Sequence, residues 1–431
     1  MGKKNIIIDG RNLSLNKFLK KIIIVVNVLF VILSLSSCNV EFITTKEQNE
    51  SFDAYLKDNG IEFTKKEVEN NINALEDEEG GISIDSSENE KENENLEDNI
   101  GTKKTKEKQN VDRILFVGDN YPGKHGQNAY DNNGASGVVD WYFSKQINTS
   151  DLLIGNLETC LSDNVKAEDA SKKTYTFTTA SKYTKMFKEV GFDVMGLANN
   201  HILDYGRDCL KDTINNLKKE GISYIGAGEN EEEANKPFIK EINGRKYAIF
   251  AATSVAPYDD WFATSDKSGV ANGYSQTMLR ANIRKIKNEV DKIIVFMHWG
   301  KELELVSDDN QKKLGRSLID LGVDCVIGCH QHIPQEVEYY KGKPIVYGLG
   351  NFIFGVTDRE MFMAELRFTY DKDERGNDVD NMQLIMHPGR SGYQKVVYTS
   401  NADNRMQQLV NLLVRSESTC LITSEGEVNP K

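Results

Sequence analysis

Basic charge is in short supply in this 431-residue chain. Its 53 Lys and Arg stand against 66 Asp and Glu, a formal net charge of −13. That balance argues against nucleic acid as a partner, because phosphate binding needs a basic surface. Cysteine is sparse as well. Cys38, Cys160, Cys209, Cys325, Cys329 and Cys420 are too few for a dense disulfide framework. Cys325 and Cys329, four residues apart on an extended segment, would sit roughly 13 Å from each other, beyond disulfide reach. Buried free thiols are therefore expected. Apolar residues make up 39%, below the usual about 45–50%, so a polar segment dilutes the core. The apolar run from Ile22 to Leu35 stops at 14 residues, short of the roughly 20 that a membrane span needs.

That run has instead the length of a signal-peptide core, with Lys17, Lys20 and Lys21 ahead of it. It ends in Leu35-Ser36-Ser37-Cys38, which resembles the lipobox of bacterial lipoproteins, an aliphatic residue and two small ones before the cysteine that takes lipid. Residues 1–37 are then a lipoprotein signal peptide and Cys38 the anchor to the cell membrane; an uncleaved anchor or a buried helix is the alternative. Most of the acidity follows directly, with 20 acidic against 9 basic residues between Asn39 and Asn110. Such a segment buries too little to offset its ordering entropy. Residues 38–110 are expected to be a largely disordered tether, with a short helical stretch over 50–75.

From Val111 the pattern becomes α/β. Apolar runs of the buried-strand type cover 113–117, 151–154, 192–197, 292–297 and 323–327, with helices over 181–190 and 208–220 closed by Gly191 and Gly221. A hairpin turning at Asn243-Gly244 joins 237–242 to 245–252. Strands near 336–340 and 344–348 and a final helix near 402–414 complete the reading. The five apolar strands each end in a polar cluster: Asp119, Glu158, Asn200-His201, His298, and His330 with His332. In open α/β sheets ligands bind outside the carboxyl ends of the strands, so these clusters are expected to converge. One such histidine alone is more often hydrogen-bonded than metal-bound. Together they point to a shared metal site.

The strings that carry these residues are Gly118-Asp119, Asn156-Leu157-Glu158-Thr159, Tyr175-Thr176-Phe177, Gly191-Phe192-Asp193 and Ala198-Asn199-Asn200-His201-Ile202-Leu203-Asp204-Tyr205-Gly206. Further on come His298-Trp299-Gly300-Lys301-Glu302, Gly328-Cys329-His330-Gln331-His332 and Tyr347-Gly348-Leu349-Gly350-Asn351-Phe352. In this order, over about 112–360, they resemble the CapA family, named for poly-γ-glutamate capsule biosynthesis, within the calcineurin-like metallophosphatase superfamily. The resemblance implies a four-layer αββα sandwich with two mixed sheets, spanning 111–431. It implies that Asp119 binds one metal, that Glu158 bridges two, that Asn200, His298 and His330 bind the second, and that His332 returns to the first. His201 becomes the acid that protonates or polarises the leaving oxygen. Asp204 either orients His201 or starts a helix. Carboxylate, amide and neutral imidazole together suit Mn, Fe or Zn, as one or two ions that activate water.

Departures accompany the resemblance. Tyr121 stands where the superfamily has the histidine of Asp-x-His, so the first metal position is a ligand short, with His125 as a candidate replacement. Cys329 is expected to point away from His330 in an extended chain and to serve packing. Trp299 either stacks on substrate or packs, and His387 has no neighbour suggesting function. Lys166, Lys172 and Lys173 lie between the Glu158 and Asn200 clusters, where they either line the mouth for a polyanion or belong to a solvated loop. Two functions follow. One is a cell-surface, metal-dependent hydrolase acting on phosphoester or amide bonds. The other is a non-catalytic, lipid-anchored component that binds poly-γ-glutamate or supports a membrane synthase complex.

Overall fold

Eleven residues near the start of the folded region set the frame. Val111–Tyr121 (β1) is buried almost throughout, the signature of a strand covered on both faces. The computed structural model describes residues 5–8, 11–14, 111–166, 170–372, 378–400, 402–416 and 419–431. The apolar run, Cys38, the acidic tether and the expected helix over 50–75 lie outside them. The chain divides into two units, Met1–Asp98 and Asn99–Lys431. In the first, Asn5–Ile8 and Arg11–Ser14 form an antiparallel pair.

In the second unit, β1 is followed by helices Gly123–Asn133 (α1) and Trp141–Thr149 (α2). Strand Leu152–Leu157 (β2), helix Thr184–Val190 (α3), strand Val194–Gly196 (β3), helix Gly206–Lys219 (α4) and strand Ser223–Ile225 (β4) come next. β1 through β4 pair in parallel, in order. Phe238–Ile242 (β5) and Arg245–Thr253 (β6) form the expected hairpin, with Asn243 at φ 49° and Gly244 at φ 86°, the positive angles a tight two-residue turn demands. Helix Thr277–Ile286 (α5), strand Lys292–His298 (β7), helix Asp309–Leu321 (α6) and strand Cys325–Cys329 (β8) follow. Then come Val337–Tyr340 (β9), Lys343–Val346 (β10) and Asn351–Phe354 (β11).

The tail supplies Arg359–Lys372 (β12), Asp378–Ser391 (β13), Val396–Tyr398 (β14), helix Ala402–Ser416 (α7), Cys420–Ile422 (β15) and Glu427–Pro430 (β16). It is no separate module. β12 pairs antiparallel with the first half of β1, and β11 pairs in parallel with the second half. The first sheet thus runs β15-β16-β13-β12-β1-β2-β3-β4, and the second runs β5-β6-β7-β8-β10-β9. Both mix parallel and antiparallel neighbours.

Three apolar cores layer these sheets. Ile114, Phe116, Ile154 and Val194 of the first sheet meet Tyr247, Ile249, Ile294, Phe296 and Ile327 of the second in one cluster between them. The outer face of the first sheet packs Leu115, Val117 and Leu153 against Phe143, Phe187, Leu210 and Ile214 from its helices. The outer face of the second packs Phe250, Val295 and Val326 against Leu279, Ile283 and Leu318. Helix, sheet, sheet, helix is the expected four-layer sandwich. Some boundaries differ: the apolar run at 192–197 is strand only over Val194–Gly196, and that at 323–327 only from Cys325. Val323 still belongs to the end of α6, where Gly322 at φ 113° turns the chain and the Val323 N–H donates to the Leu318 carbonyl.

Candidate metal centre

Every expected site residue lies at the carboxyl end of a parallel strand or in the loop just after it. Asp119 is the third residue from the end of β1, Glu158 follows β2, and Asn200 with His201 follow β3. His298 ends β7, and His330 and His332 follow β8. Two glycines let these ends approach. A Cβ on Gly118 would sit 1.8 Å from the Gly350 carbonyl oxygen, and one on Gly328 would sit 2.0 Å from that of Tyr347. Backbone rather than side chain therefore fills the space behind Asp119 and Cys329. His330 and His332 adopt φ of 105° and 59°. Non-glycine residues rarely hold such angles, and they cluster at functional sites.

The six expected ligands fall into two overlapping groups. Asp119, Glu158 and His332 converge on one, and Glu158, His298 and His330 on the other, with candidate ligand atoms of each within 4.8 Å of one another; Asp119 and His298 also lie that close to the Cys329 Sγ. The Asn200 Oδ1 is 2.8 Å from the His298 Nε2, which adds it to the second group. Glu158 is common to both, with Oε1 3.7 Å from the His298 Nε2 and Oε2 3.9 Å from the His332 Nδ1. Asp119 takes hydrogen bonds from the Asn156 Nδ2 at 2.8 Å and the His330 N–H at 3.1 Å, and its Oδ2 lies 3.4 Å from the His332 Nδ1. The Asn351 Oδ1 holds that same nitrogen at 2.8 Å.

The electrostatics suit a cation. Both Glu158 oxygens and the His330 Nδ1 are buried without a hydrogen-bond partner, although buried polar groups are nearly always paired. Burial, and then the Asp119 charge, pushes the Glu158 carboxyl well above its usual range. Burial, and then the neighbouring His332, lowers His330 to about 3, and burial and the other imidazoles hold His298 well below its usual value. Both rings are therefore neutral, the form in which imidazole binds metal. His332 goes the other way: burial disfavours its charge, but Glu158 and Asp119 overcome that and raise it to about 10. The donor set, carboxylates, an amide and imidazoles, fits a divalent ion of the Mn, Fe or Zn kind.

His201 borders this cluster. Its Nδ1 lies 2.6 Å from the Asp204 Oδ2, which also accepts from the Phe177 N–H at 2.8 Å. Asp204 thus orients His201; α4 begins after it, with Tyr205 as cap. The Lys173 ammonium bonds the Asp204 Oδ1 at 2.9 Å and the Asn200 carbonyl. Burial lowers the pKa of Lys173 and of His201 alike, with Asp204 opposing in both. Phe177 stacks on His201 at 4.1 Å and on Tyr121 at 4.2 Å between ring centroids. Tyr121 is therefore the outer member of an aromatic stack and supplies nothing to either ligand group.

Several readings of the loop residues change. His125 is exposed on α1, its ring against Tyr393, and it belongs to neither ligand group. Cys329 does face the centre, with Sγ 3.3 Å from the His298 Nδ1. The positive φ of His330 breaks the extended alternation that would have turned the two side chains apart. Trp299 is fully buried, donates to the Tyr347 carbonyl at 2.8 Å and packs. His387 is buried between Glu365 and the Tyr142 hydroxyl, each at 2.9 Å. Lys173 is engaged internally, whereas Lys166 and Lys172 are exposed. The five cysteines among the described residues are buried thiols outside any disulfide, as expected. Residue types alone passed over Asn199, whose amide donates to the Asn156 Oδ1 and whose Oδ1 accepts from the N–H groups of His201 and Ile202. Its place beside Asn200 in the same string was the available signal.

Comparison with known proteins gives the context. Residues 113–356 match the family model described as bacterial capsule synthesis protein PGA_cap. The chain is 30% identical over 240 residues to the PGA biosynthesis protein CapA of Bacillus subtilis (strain 168), covering 56% of this chain and 62% of that one. It is 32% identical over 247 residues to the capsule biosynthesis protein CapA of Bacillus anthracis, covering 56% and 59%. The chain thus spans about three fifths of the length of these two relatives. Among solved structures, it is similar to a hypothetical protein of Thermus thermophilus at 15% identity and a TM-score of 0.36, covering 64% of this chain and 99% of that one. Because the matched segment covers more than half of the chain and contains all six converging side chains with His201 and Asp204, the chain belongs to the bacterial capsule synthesis protein PGA_cap family.

Proposed function

We propose that this protein is a lipid-anchored, cell-surface hydrolase, dependent on one or two divalent ions, that processes an anionic capsule polymer of the poly-γ-glutamate type. The observation that carries the metal reading is Glu158: a fully buried carboxylate with no hydrogen bond, set between His298 and His332. Asp119, Glu158 and His332 would hold one ion, and Glu158, Asn200, His298 and His330 the other. When bound, such ions supply an activated water near neutral pH and polarise the bond under attack. The remaining work belongs to the chain. Asp204 accepts the Nδ1 proton of His201 and stabilises its imidazolium, leaving Nε2 to protonate the leaving oxygen or nitrogen. Lys173 fixes Asp204 from the other side. The capsule substrate is suggested by the relatives' names, and the surface location by the lipobox-like Leu35-Ser36-Ser37-Cys38. Tyr121 in place of a ligand favours a second reading, a non-catalytic component that binds the polymer or supports a membrane synthase.

The test is elemental analysis of the full chain purified without chelator, beside His298→Ala and His332→Ala. Phosphomonoester, phosphodiester and γ-glutamyl substrates are assayed on the same preparations with added Mn. Metal lost in both variants, with turnover abolished by His201→Ala at unchanged metal content, supports the enzyme. Metal without turnover on any of them favours the non-catalytic reading, and no metal in folded wild type rejects both ion positions.

A further inference from the structure

The motif that ends β8 is Gly328-Cys329-His330, and the cysteine is the one chemically distinctive side chain near the centre that the proposed mechanism leaves unused. Its surroundings are specific. The Cys329 Sγ is 3.6 Å from the Met297 carbonyl, to which the S–H donates, and 3.3 Å from the His298 Nδ1. On the other side of the same ring, Nε2 faces the Asn200 Oδ1 at 2.8 Å and the Glu158 Oε1 at 3.7 Å. His298 therefore presents Nε2 to the candidate ion and Nδ1 to the protein interior.

An imidazole that gives Nε2 to a metal carries its proton on Nδ1, and that proton needs an acceptor. The choice at this position is narrow. The Asn156 Nδ2 lies 3.4 Å away but is itself a donor, held in that orientation by its bond to Asp119 and by the Asn199 amide on its oxygen. The Asp119 Oδ1 is 3.9 Å away and already accepts from Asn156. Among the described residues, sulfur is the acceptor within reach. We propose that Cys329 is a positioning residue for the metal centre: with its S–H given to Met297, its sulfur accepts the His298 Nδ1–H and so fixes the ring and the tautomer that offer Nε2 to the ion. The thiol stays neutral and is not itself a ligand.

This inference rests on the metal reading above and deepens it. It also gives the close contact between His298 and Asn200 a meaning. Two acceptors 2.8 Å apart repel unless something lies between them. A proton on Nε2 serves without metal, and a cation would replace it, shifting the ring proton to the Cys329 side.

The test uses the full chain with zinc alone. Zinc affinity is measured by competition with a chelating dye for wild type, Cys329→Ala and Cys329→Ser, and each metal-free protein is melted to show that it is folded. Cys329→Ala is expected to bind about 10- to 100-fold more weakly, and Cys329→Ser, whose oxygen can accept the same proton, to recover most of that loss. In parallel, nitrogen NMR of the zinc-loaded wild type, with His298 assigned through His298→Gln, should show Nδ1 protonated and Nε2 bound; this needs no cysteine variant to fold. Equal affinity of wild type and Cys329→Ala, or zinc on the His298 Nδ1, overturns the role of the thiol and leaves the metal centre standing. An equal loss in the serine and alanine variants overturns it too, since the sulfur would then be a ligand. A folded wild type that binds no zinc or manganese overturns the metal reading itself, and this inference with it.

Discussion

Among the fully buried carboxylates of the first sheet and its loops, Glu365 and Glu158 live in opposite ways. Glu365, on β12, accepts from the Arg113 Nε at 2.7 Å, the Arg367 Nε at 3.0 Å and the His387 ring at 2.9 Å. Burial pushes its pKa up, but those partners more than reverse this and hold it far below the usual range. Glu158 accepts from no one and is pushed up. Burying a charge without partners is costly, so the first cluster is complete as it stands, whereas the second needs a proton or a cation. A satisfied buried acid marks a structural tie, and an orphaned one marks where a positive ion belongs.

Removing each acid in turn is the most direct way to break this contrast. In chelator, Glu365→Gln should be clearly destabilising, by about 3 kcal/mol, because it leaves the half-buried Arg113 and the buried His387 without their carboxylate, while Glu158→Gln should be neutral or stabilising. Urea denaturation reads both, and equal losses would end the comparison. Next in size is the gain from metal. At about 100 times its Kd an ion adds about 2.7 kcal/mol to stability. Wild type and Glu365→Gln should show that increment in thermal or urea melts, and Glu158→Gln should not.

The two clusters should also respond to opposite ends of the pH scale. In metal-free protein, His332 has its pKa raised from 6.5 to about 10. Its contribution is therefore fully present below pH 6.5 and is lost as pH rises towards 10, at no more than about 1.4 kcal/mol per pH unit. Metal must displace that proton, so zinc or manganese affinity should rise with pH over the same window, by about tenfold per unit for that proton alone. Glu365 has its pKa lowered, so its contribution is present above its ordinary value of 4.5 and is lost only in acid. Urea melts of the chelated protein at about pH 5, 7 and 9, with His332→Gln as control, separate the two. A His332→Gln protein that keeps the wild-type slope above neutral pH would place that dependence elsewhere.

Legibility in the sequence followed the strand ends. Asp119, Glu158, Asn200, His298, His330 and His332 were readable because each closes an apolar run, and the two packed sheets do the rest by bringing their carboxyl ends together. The β5–β6 hairpin was readable for a similarly local reason, two adjacent residues that tolerate positive φ. What was hidden depends on geometry that no short window carries. The side-by-side approach of Cys329 and His330 needs the left-handed φ of His330. Val323 looks like strand by composition but completes the cap of α6. The engagement of Lys173 with Asp204 crosses 31 residues, and that of Glu365 with Arg113 crosses 252. Long-range pairs of this sort are the part of a site that strings of residues do not show.

The smallest effect concerns the aromatic stack, and it asks whether Tyr121 replaced a ligand with something useful. Phe177 lies between Tyr121 and His201, and its backbone N–H holds Asp204. Phe177→Leu keeps that N–H and removes only the ring faces. The lost stacking is worth about 0.5–1.5 kcal/mol beyond area burial, so the variant should melt slightly earlier while binding metal as wild type does. If the stack serves His201, turnover should fall with KM unchanged, because the acid is left less well held against the leaving group. A fall in metal content instead would mean that the stack supports the ligand loops, and that the position of Tyr121 still belongs, by another route, to the metal.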